Sequence, residues 1–210
     1  MSRPEVRFLG RVGFREAREL QERVAADLAE GRGPEVVLLL EHPPVITLGR
    51  SAKPGDAGLT AEAWAERGVE VVSADRGGRA TYHGPGQVVA YPVVDLRRRG
   101  RDVRAYVHLL EDAAAAAVRR FGVPARAGRD PVGGFVQGAK IASVGVGVRR
   151  WITRHGVALN VDSDLAVYRW FVPCGLAGVP MTRLVDHARA TWQEAARALA
   201  EELEARLGEG

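Results

Sequence analysis

The run Val36-Val-Leu-Leu-Leu40 constrains this chain more than any other feature. It is bounded by Pro34 before it and by His42-Pro43-Pro44 after it. A short, continuous apolar run between turn residues reads as a strand buried on both faces, and so as part of a sheet covered on both sides. The surrounding pattern supplies the covering. Val6–Leu9 reads as a first strand, and Phe14, Ala17, Leu20, Val24 and Leu28 recur at helical spacing up to Gly31-Arg32-Gly33. Val45–Leu48 resumes the strand beyond the prolines. Thr60–Arg67 is a short helix with Thr60 as N-cap, followed by a strand at Val69–Val72. Asp75–Gly86 is glycine-rich and irregular. Val88–Val94 is a strand that Pro92 assigns to an edge or a bulge. Asp102 opens a helix that runs to Phe121 and stops at Gly122. Ile141–Val148 and Ile152–Val161 form an antiparallel hairpin about Arg149-Arg150. Asp164–Trp170 is a short helix, and Ala190–Leu207 is a closing amphipathic one. Strands, hairpins and helices mix without a break in composition. The expected fold is therefore α/β (α+β): one domain over residues 1–210, with a mixed sheet flanked by helices.

Several functional classes fall away at this level. No apolar run approaches the roughly 18 residues of a membrane span, and MSRPEVRFLG lacks a signal-peptide core, so a cytoplasmic protein is expected. Cys174 is the one cysteine; it has no partner for an internal disulfide and no companions for a zinc site. The histidines at 42, 83, 108, 155 and 187 lack metal-ligand spacing, and no metal or cofactor is expected. There is no G-x-x-x-x-G-K-[ST], no G-x-S-x-G, and no complete G-x-G-x-x-G. The formal charge is +4 with a pI near 9.7. The densest basic run, Arg97-Arg98-Arg99-Gly100-Arg101, is short and has no interleaved aromatics. It reads as a solvated loop, with a noncatalytic RNA-binding module as the alternative.

Three features point to chemistry. A lone cysteine is often just a small buried hydrophobe, but Cys174 stands between Pro173, which fixes the backbone, and Gly175, which permits unusual conformations and close access. That is a setting for an exposed nucleophile. Of the 30 basic residues only Lys53 and Lys140 are lysines. Where a bare charge suffices this chain uses arginine, so Lys140, among Gly138-Ala139 and Ile141-Ala142-Ser143, suggests an amine that must exchange a proton. As an ammonium it stabilises a thiolate; as an amine it accepts a proton. The third feature is Arg76-Gly-Gly-Arg-Ala-Thr-Tyr-His83 with Gly84 and Gly86, where backbone can approach a slender ligand and rings can wall it. His155-Gly-Val-Ala-Leu-Asn160 has the same character, with Asn160 equally suited to capping a turn.

Taken in order, RGGRATYHGPGQVVAYPVVDL at 76–96, GAKIASVGVGV at 138–148, RHGVALNVDSDL at 154–165 and PCGL at 173–176, with HPPVITLGR at 42–50, resemble the lipoyl(octanoyl) transferase family of the lipoate-protein ligase B type. The resemblance spans roughly residues 35–185. It implies a fold similar to the biotin and lipoate protein ligases. It also implies transfer of an octanoyl group from octanoyl-acyl carrier protein to a lysine of lipoyl domains, those of 2-oxoacid dehydrogenases and of the glycine cleavage H protein. On it, Cys174 is similar to the family's acyl-thioester nucleophile and Lys140 to the residue that favours its thiolate. Arg76, Gly77, Gly78, Arg79, Ala80, Thr81, Tyr82 and His83, then Ser143, Val144 and Gly145, then Gly156, Val157 and Ala158, fall where the family lines its acyl site. A channel walled by Gly77, Gly78, Tyr82 and Gly156 would measure the acyl chain, with bulk at Gly78 or Ala158 penalising long chains first. The chain departs from the family at Pro180-Met181-Thr182-Arg183-Leu184, where Thr-Ser-Leu is common. An ATP-dependent lipoate-protein ligase is the alternative on the same fold; it would not need Cys174.

Overall fold

The computed structural model describes residues 3–208. Strand β1 (Glu5–Arg11) leads into helix α1 (Phe14–Ala29), and the apolar run becomes β2 (Val36–Glu41). Then come β3 (Val45–Leu48), α2 (Ala61–Ala65), β4 (Glu70–Ser73), β5 (Ala80–His83) and β6 (Gln87–Val93). Helix α3 (Val103–Arg119) precedes β7 (Ala125–Ala127), β8 (Gly134–Val136), β9 (Ala139–Arg149) and β10 (Ile152–Asn160), and α4 (Trp192–Gly208) closes the series. Seven strands make the main sheet in the order β1-β2-β6-β10-β9-β8-β7, parallel only between β1 and β2. A second sheet, β4-β3-β5, pairs β3 parallel to β4 and antiparallel to β5.

The two-sided apolar run in β2 follows from this layering. Val37 and Leu39 join Val88 and Ala90 of β6 and Val157 and Leu159 of β10 under α3 and α4. Val36, Leu38 and Leu40 join Val89, Tyr91 and Ala158 on the opposite face, where Ala17 of α1 packs. The period of two puts alternate residues of each central strand on alternate faces. The face under α3 and α4 is solid core; the other carries the second sheet and leaves space for a cavity. Asp102 caps α3, its Oδ1 accepting from the N–H groups of Arg104 and Ala105 at 2.8 and 2.9 Å. Thr60 does the same for α2 through Ala63.

Three expectations need correction, and one stretch left unassigned above holds two strands. Val45–Leu48 does not resume β2; after the two prolines it belongs to the second sheet. The segment 75–86 is not wholly irregular, since β5 lies inside it. Two short strands, β7 and β8, lie before β9. Pro92 is on a central strand, not an edge. Its carbonyl accepts from Thr153 Oγ1 at 2.7 Å on the β10 side. The missing N–H thus falls where the β6–β10 ladder has already ended at Ala90. The basic run is also tied down: Arg99 pairs with buried Glu35 at 2.7 Å and donates to the Leu207 carbonyl, and Arg97 pairs with Asp95. Among the described residues no helix is long and apolar enough to cross a membrane.

Candidate active site

Cys174 occupies a one-turn 3-10 helix, Pro173–Gly175, with φ 58° and ψ 11°. A side chain other than glycine in this left-handed region costs on the order of 1–3 kcal/mol and persists only where its surroundings hold it. The thiol is half-buried. Lys140, at the start of β9, is 2% exposed. Its Nζ donates to Cys174 Sγ at 3.5 Å and to the Val132 carbonyl at 2.8 Å. Ser143, three residues further along β9, places Oγ 4.0 Å from the same sulfur.

The fold fixes this meeting from both sides. The chain leaving Cys174 returns to β9, where the Lys140 N–H donates to Pro180 and the Thr182 N–H to Lys140. Asn160 at the end of β10 donates to the Thr182 carbonyl at 3.1 Å and accepts from Gln87, which accepts from His83 Nδ1. Asn160 therefore clamps the segment that follows the cysteine. Opposite, Glu111 of α3 is fully buried and accepts from the N–H groups of Arg129 and Gly133 at 2.9 and 2.8 Å. This pins the loop that presents the Val132 carbonyl. A Cβ at Gly133 would stand 2.8 Å from Lys140 Cε, so glycine there leaves room for the lysine stem.

Sulfur and amine border a cavity of about 160 Å³ whose exposed surface is mostly apolar. Arg76 forms part of its wall and is itself 6% exposed. Its Nη2 donates to the Thr47 carbonyl at 2.6 Å, its Nε to Thr47 Oγ1, and its Nη1 to the Gly77 carbonyl at 2.9 Å. Three glycines surround the guanidinium. A Cβ would lie 2.7 Å from Nη1 at Gly49, 3.5 Å from it at Gly78 and 3.1 Å from Cδ at Gly145. Gly49 and Gly145 thus make room for a buried arginine, whereas Gly78, where the contact would be ordinary, is favoured by its positive φ of 82°.

Val89 and Tyr91 of β6, with His83 and His155, line the cavity beside Ala158 and Gly156. Tyr91 donates to His42 Nε2 at 2.8 Å, because His42 Nδ1–H is committed to the Val12 carbonyl at 2.7 Å. Burial drives His42 down to about 4 despite that carbonyl. Burial likewise holds His83 well below its ordinary value, reinforced by His42. His155, lowered by burial, donates Nε2–H to Asp75 at 2.7 Å, and that bond holds Asp75 down to about 2. Burial pushes the Tyr91 phenol up. The histidines and the tyrosine are neutral walls at physiological pH. Among the described residues no group of three or more His, Cys, Asp or Glu side chains could hold a metal.

Of the residues singled out from the sequence, Cys174, Lys140, Arg76, Gly78, Arg79, Thr81, His83, Ser143, Val144, Gly145, Gly156, Val157 and Ala158 all line this cavity. Gly77, Ala80 and Tyr82 are off its wall. In β5 the period of two turns Thr81 and His83 toward the cavity, while Ala80 and Tyr82 pack with Ile46 and Trp64 in a separate core. Gly77 donates its N–H to the Val146 carbonyl. Arg79 pairs with Asp56, and a Cβ at Gly175 would strike its side chain. Val89, Tyr91, Pro131, Val132, His155 and Leu176 complete the lining. For Val89 and Tyr91 the alternation along QVVAYPV carried the signal; Pro131 and Val132 had none.

A family profile described as the lipoyl protein ligase A/B catalytic domain matches residues 14–204. An octanoyltransferase of Geobacter metallireducens is 48% identical over 179 residues, which is 85% of this chain and 81% of the relative. The octanoyltransferase of Methylococcus capsulatus is 44% identical over 208 residues, covering 97% and 96%. The bipartite lipoate protein ligase of Thermoplasma acidophilum, solved in a study of that ligase and its E2 lipoyl domain, is similar in fold, with a TM-score of 0.70 at 16% identity over 99% of this chain and 85% of that one.

Proposed function

Because this chain belongs to the lipoyl protein ligase A/B catalytic-domain family, we propose that it transfers octanoyl groups to lipoyl domains, with Cys174 carrying the acyl group as a thioester. The donor is octanoyl-acyl carrier protein; the acceptors are lysines of lipoyl domains in 2-oxoacid dehydrogenases and in the glycine cleavage H protein. One observation carries the proposal: a half-buried thiol 3.5 Å from a buried amine, at the side of a mostly apolar cavity.

In the first step the Cys174 thiolate attacks the donor's thioester carbonyl. The Cys174 S–C bond forms, the donor's C–S bond breaks, and the departing thiolate takes a proton from Lys140. In the second, the acceptor amine attacks the new thioester. The amide C–N bond forms, Cys174 leaves as thiolate, and Lys140 regains a proton from the incoming nitrogen. The donor is already activated, so no nucleotide takes part. A reaction that needs a free thiol suits a reducing compartment, which supports a cytoplasmic location.

Register suggests the path of the chain. Ser143 of β9 faces Ala158 of β10, which faces Val89 of β6. That row crosses two strand spacings, about 9–10 Å, a reach suited to an extended eight-carbon chain. Leu40 faces Val89 on β2 and belongs to the core under α1, closing the row.

Intact mass after incubation with octanoyl-acyl carrier protein tests the proposal. Wild type should gain one octanoyl group, Cys174→Ala none, and a lipoyl domain should be octanoylated without ATP. An unmodified wild-type chain, or transfer that requires ATP, would overturn it in favour of a ligase.

A further inference from the structure

Two cations are buried in the cavity wall, and the reaction described above employs only Lys140. The Arg76 guanidinium is hidden almost as fully, and its hydrogen-bond acceptors are a threonine hydroxyl and two backbone carbonyls, all neutral. Among the described residues no carboxylate lies within ion-pairing distance of Arg76 or Lys140, whereas Arg99, Arg79 and Arg129 all have one. A cation withdrawn from water without an anion is costly, so a counter-charge is needed where this one faces.

We propose that Arg76 is a positioning residue that, together with Lys140, holds the Cys174 sulfur in its anionic, nucleophilic form across the shared cavity. It rests on Cys174 being the nucleophile, but not on the identity of the acyl group. Burial pulls the guanidinium below its ordinary range, and the groups on the shared cavity wall able to carry negative charge are Tyr91 and Cys174. Tyr91 is kept neutral by its own burial, which leaves the sulfur. The other titratable groups facing the cavity supply no anion. His83 and His155 are held neutral, and Arg79 is matched by Asp56. Glycine at 49 and 145 leaves the room that the Arg76 side chain occupies.

Alkylation of Cys174 by iodoacetamide, in which the thiolate displaces iodide, reads thiolate content without any acyl donor. In Arg76→Met the rate at neutral pH should fall about tenfold, and the loss should be recovered at alkaline pH, where the thiol ionises unaided. Arg76→Lys should retain most of the wild-type rate. An unchanged neutral rate in Arg76→Met, or a deficit that persists into alkali, would overturn the proposal. If Arg76→Met does not fold, Lys140→Met decides. With Arg76 still present, its cysteine should react faster at neutral pH than in the same chain unfolded in urea, and equal rates would count against Arg76. Wild type that alkylates as expected yet never accepts an octanoyl group would sink the transferase alone.

Discussion

Val89 offers a quantitative test of how the acyl chain lies. It is fully buried, stands opposite Ala158 on the cavity side of β6, and marks the far end of the row that begins at Ser143. Val89→Ala removes two carbons and opens space for about two methylenes. Each methylene newly buried stabilises the bound chain by about 0.8 kcal/mol. The kcat/KM ratio for decanoyl over octanoyl donors should therefore rise by about 1.6 kcal/mol, roughly 15-fold. Val89→Leu adds one carbon in the opposite sense and should penalise octanoyl against hexanoyl by about fourfold. The truncation destabilises the core by on the order of 2 kcal/mol, a Tm loss of roughly 4–8 °C in a domain of this size, so folded protein remains for assay. The measurement is kcat/KM for hexanoyl, octanoyl and decanoyl carrier-protein donors with a single lipoyl domain. If both variants keep the wild-type ratios while remaining folded, the chain does not run along this row.

Other expectations follow from the same geometry. Glu111→Ala orphans the buried Gly133 N–H at about 1–3 kcal/mol, removes the partner of the half-buried Arg129 N–H, and frees the loop carrying the Val132 carbonyl. Acyl-enzyme formation should slow roughly tenfold to a hundredfold, and single-turnover acylation at wild-type rate would contradict the role given to that loop. The sequence alone suggests that bulk at Ala158 would penalise long chains first, but the register puts it between Ser143 and Val89, so Ala158→Leu should instead depress transfer at every chain length; a loss confined to long chains would place it at the far end. Acid should unfold the protein early. His42 titrates at about 4 when folded against 6.5 when free, so between these values the unfolded state binds the extra proton. The contribution of neutral His42 is intact above pH 6.5 and is lost as pH falls, by about 3 kcal/mol at pH 4. His83 and His155 shift in the same direction. Urea midpoints that stay flat from neutral pH to pH 4.5 would refute it.

How far the sequence carried depended on whether a feature was local. Elements with a clear period survived almost to the residue: α1 from its 3.6 repeat, the β9–β10 hairpin from its two apolar runs, and α3 from Asp102. The cysteine and the lysine stood out by their rarity together with their immediate neighbours, Pro173 and Gly175 on one side and the small residues around Lys140 on the other. What failed was whatever depends on a partner far along the chain. Pro92 argues for an edge when only its own missing donor is considered, and becomes tolerable in a central strand because β10 ends its ladder two residues earlier. Tyr82 looked like a ligand wall, but the register of β5 turns it away from the cavity into the core around Ile46 and Trp64. Of the glycines of 76–86, Gly84 and Gly86 leave room for Tyr82 and for the Asp162 carbonyl rather than for a ligand, and neither neighbour is signalled by a glycine loop alone. Glu111, 29 residues before Lys140, carries no local mark of the loop it ties down.

The room left for Arg76 has a genetic consequence. Gly49 and Gly145 lie in separate stretches of the chain, yet each keeps space clear for the same arginine side chain. In a saturation scan scored on growth without supplied lipoate, alanine at either should produce one shared phenotype, and the pair should hurt less than the sum of the singles. Two distant columns would then behave as a single heritable trait whose owner is an arginine.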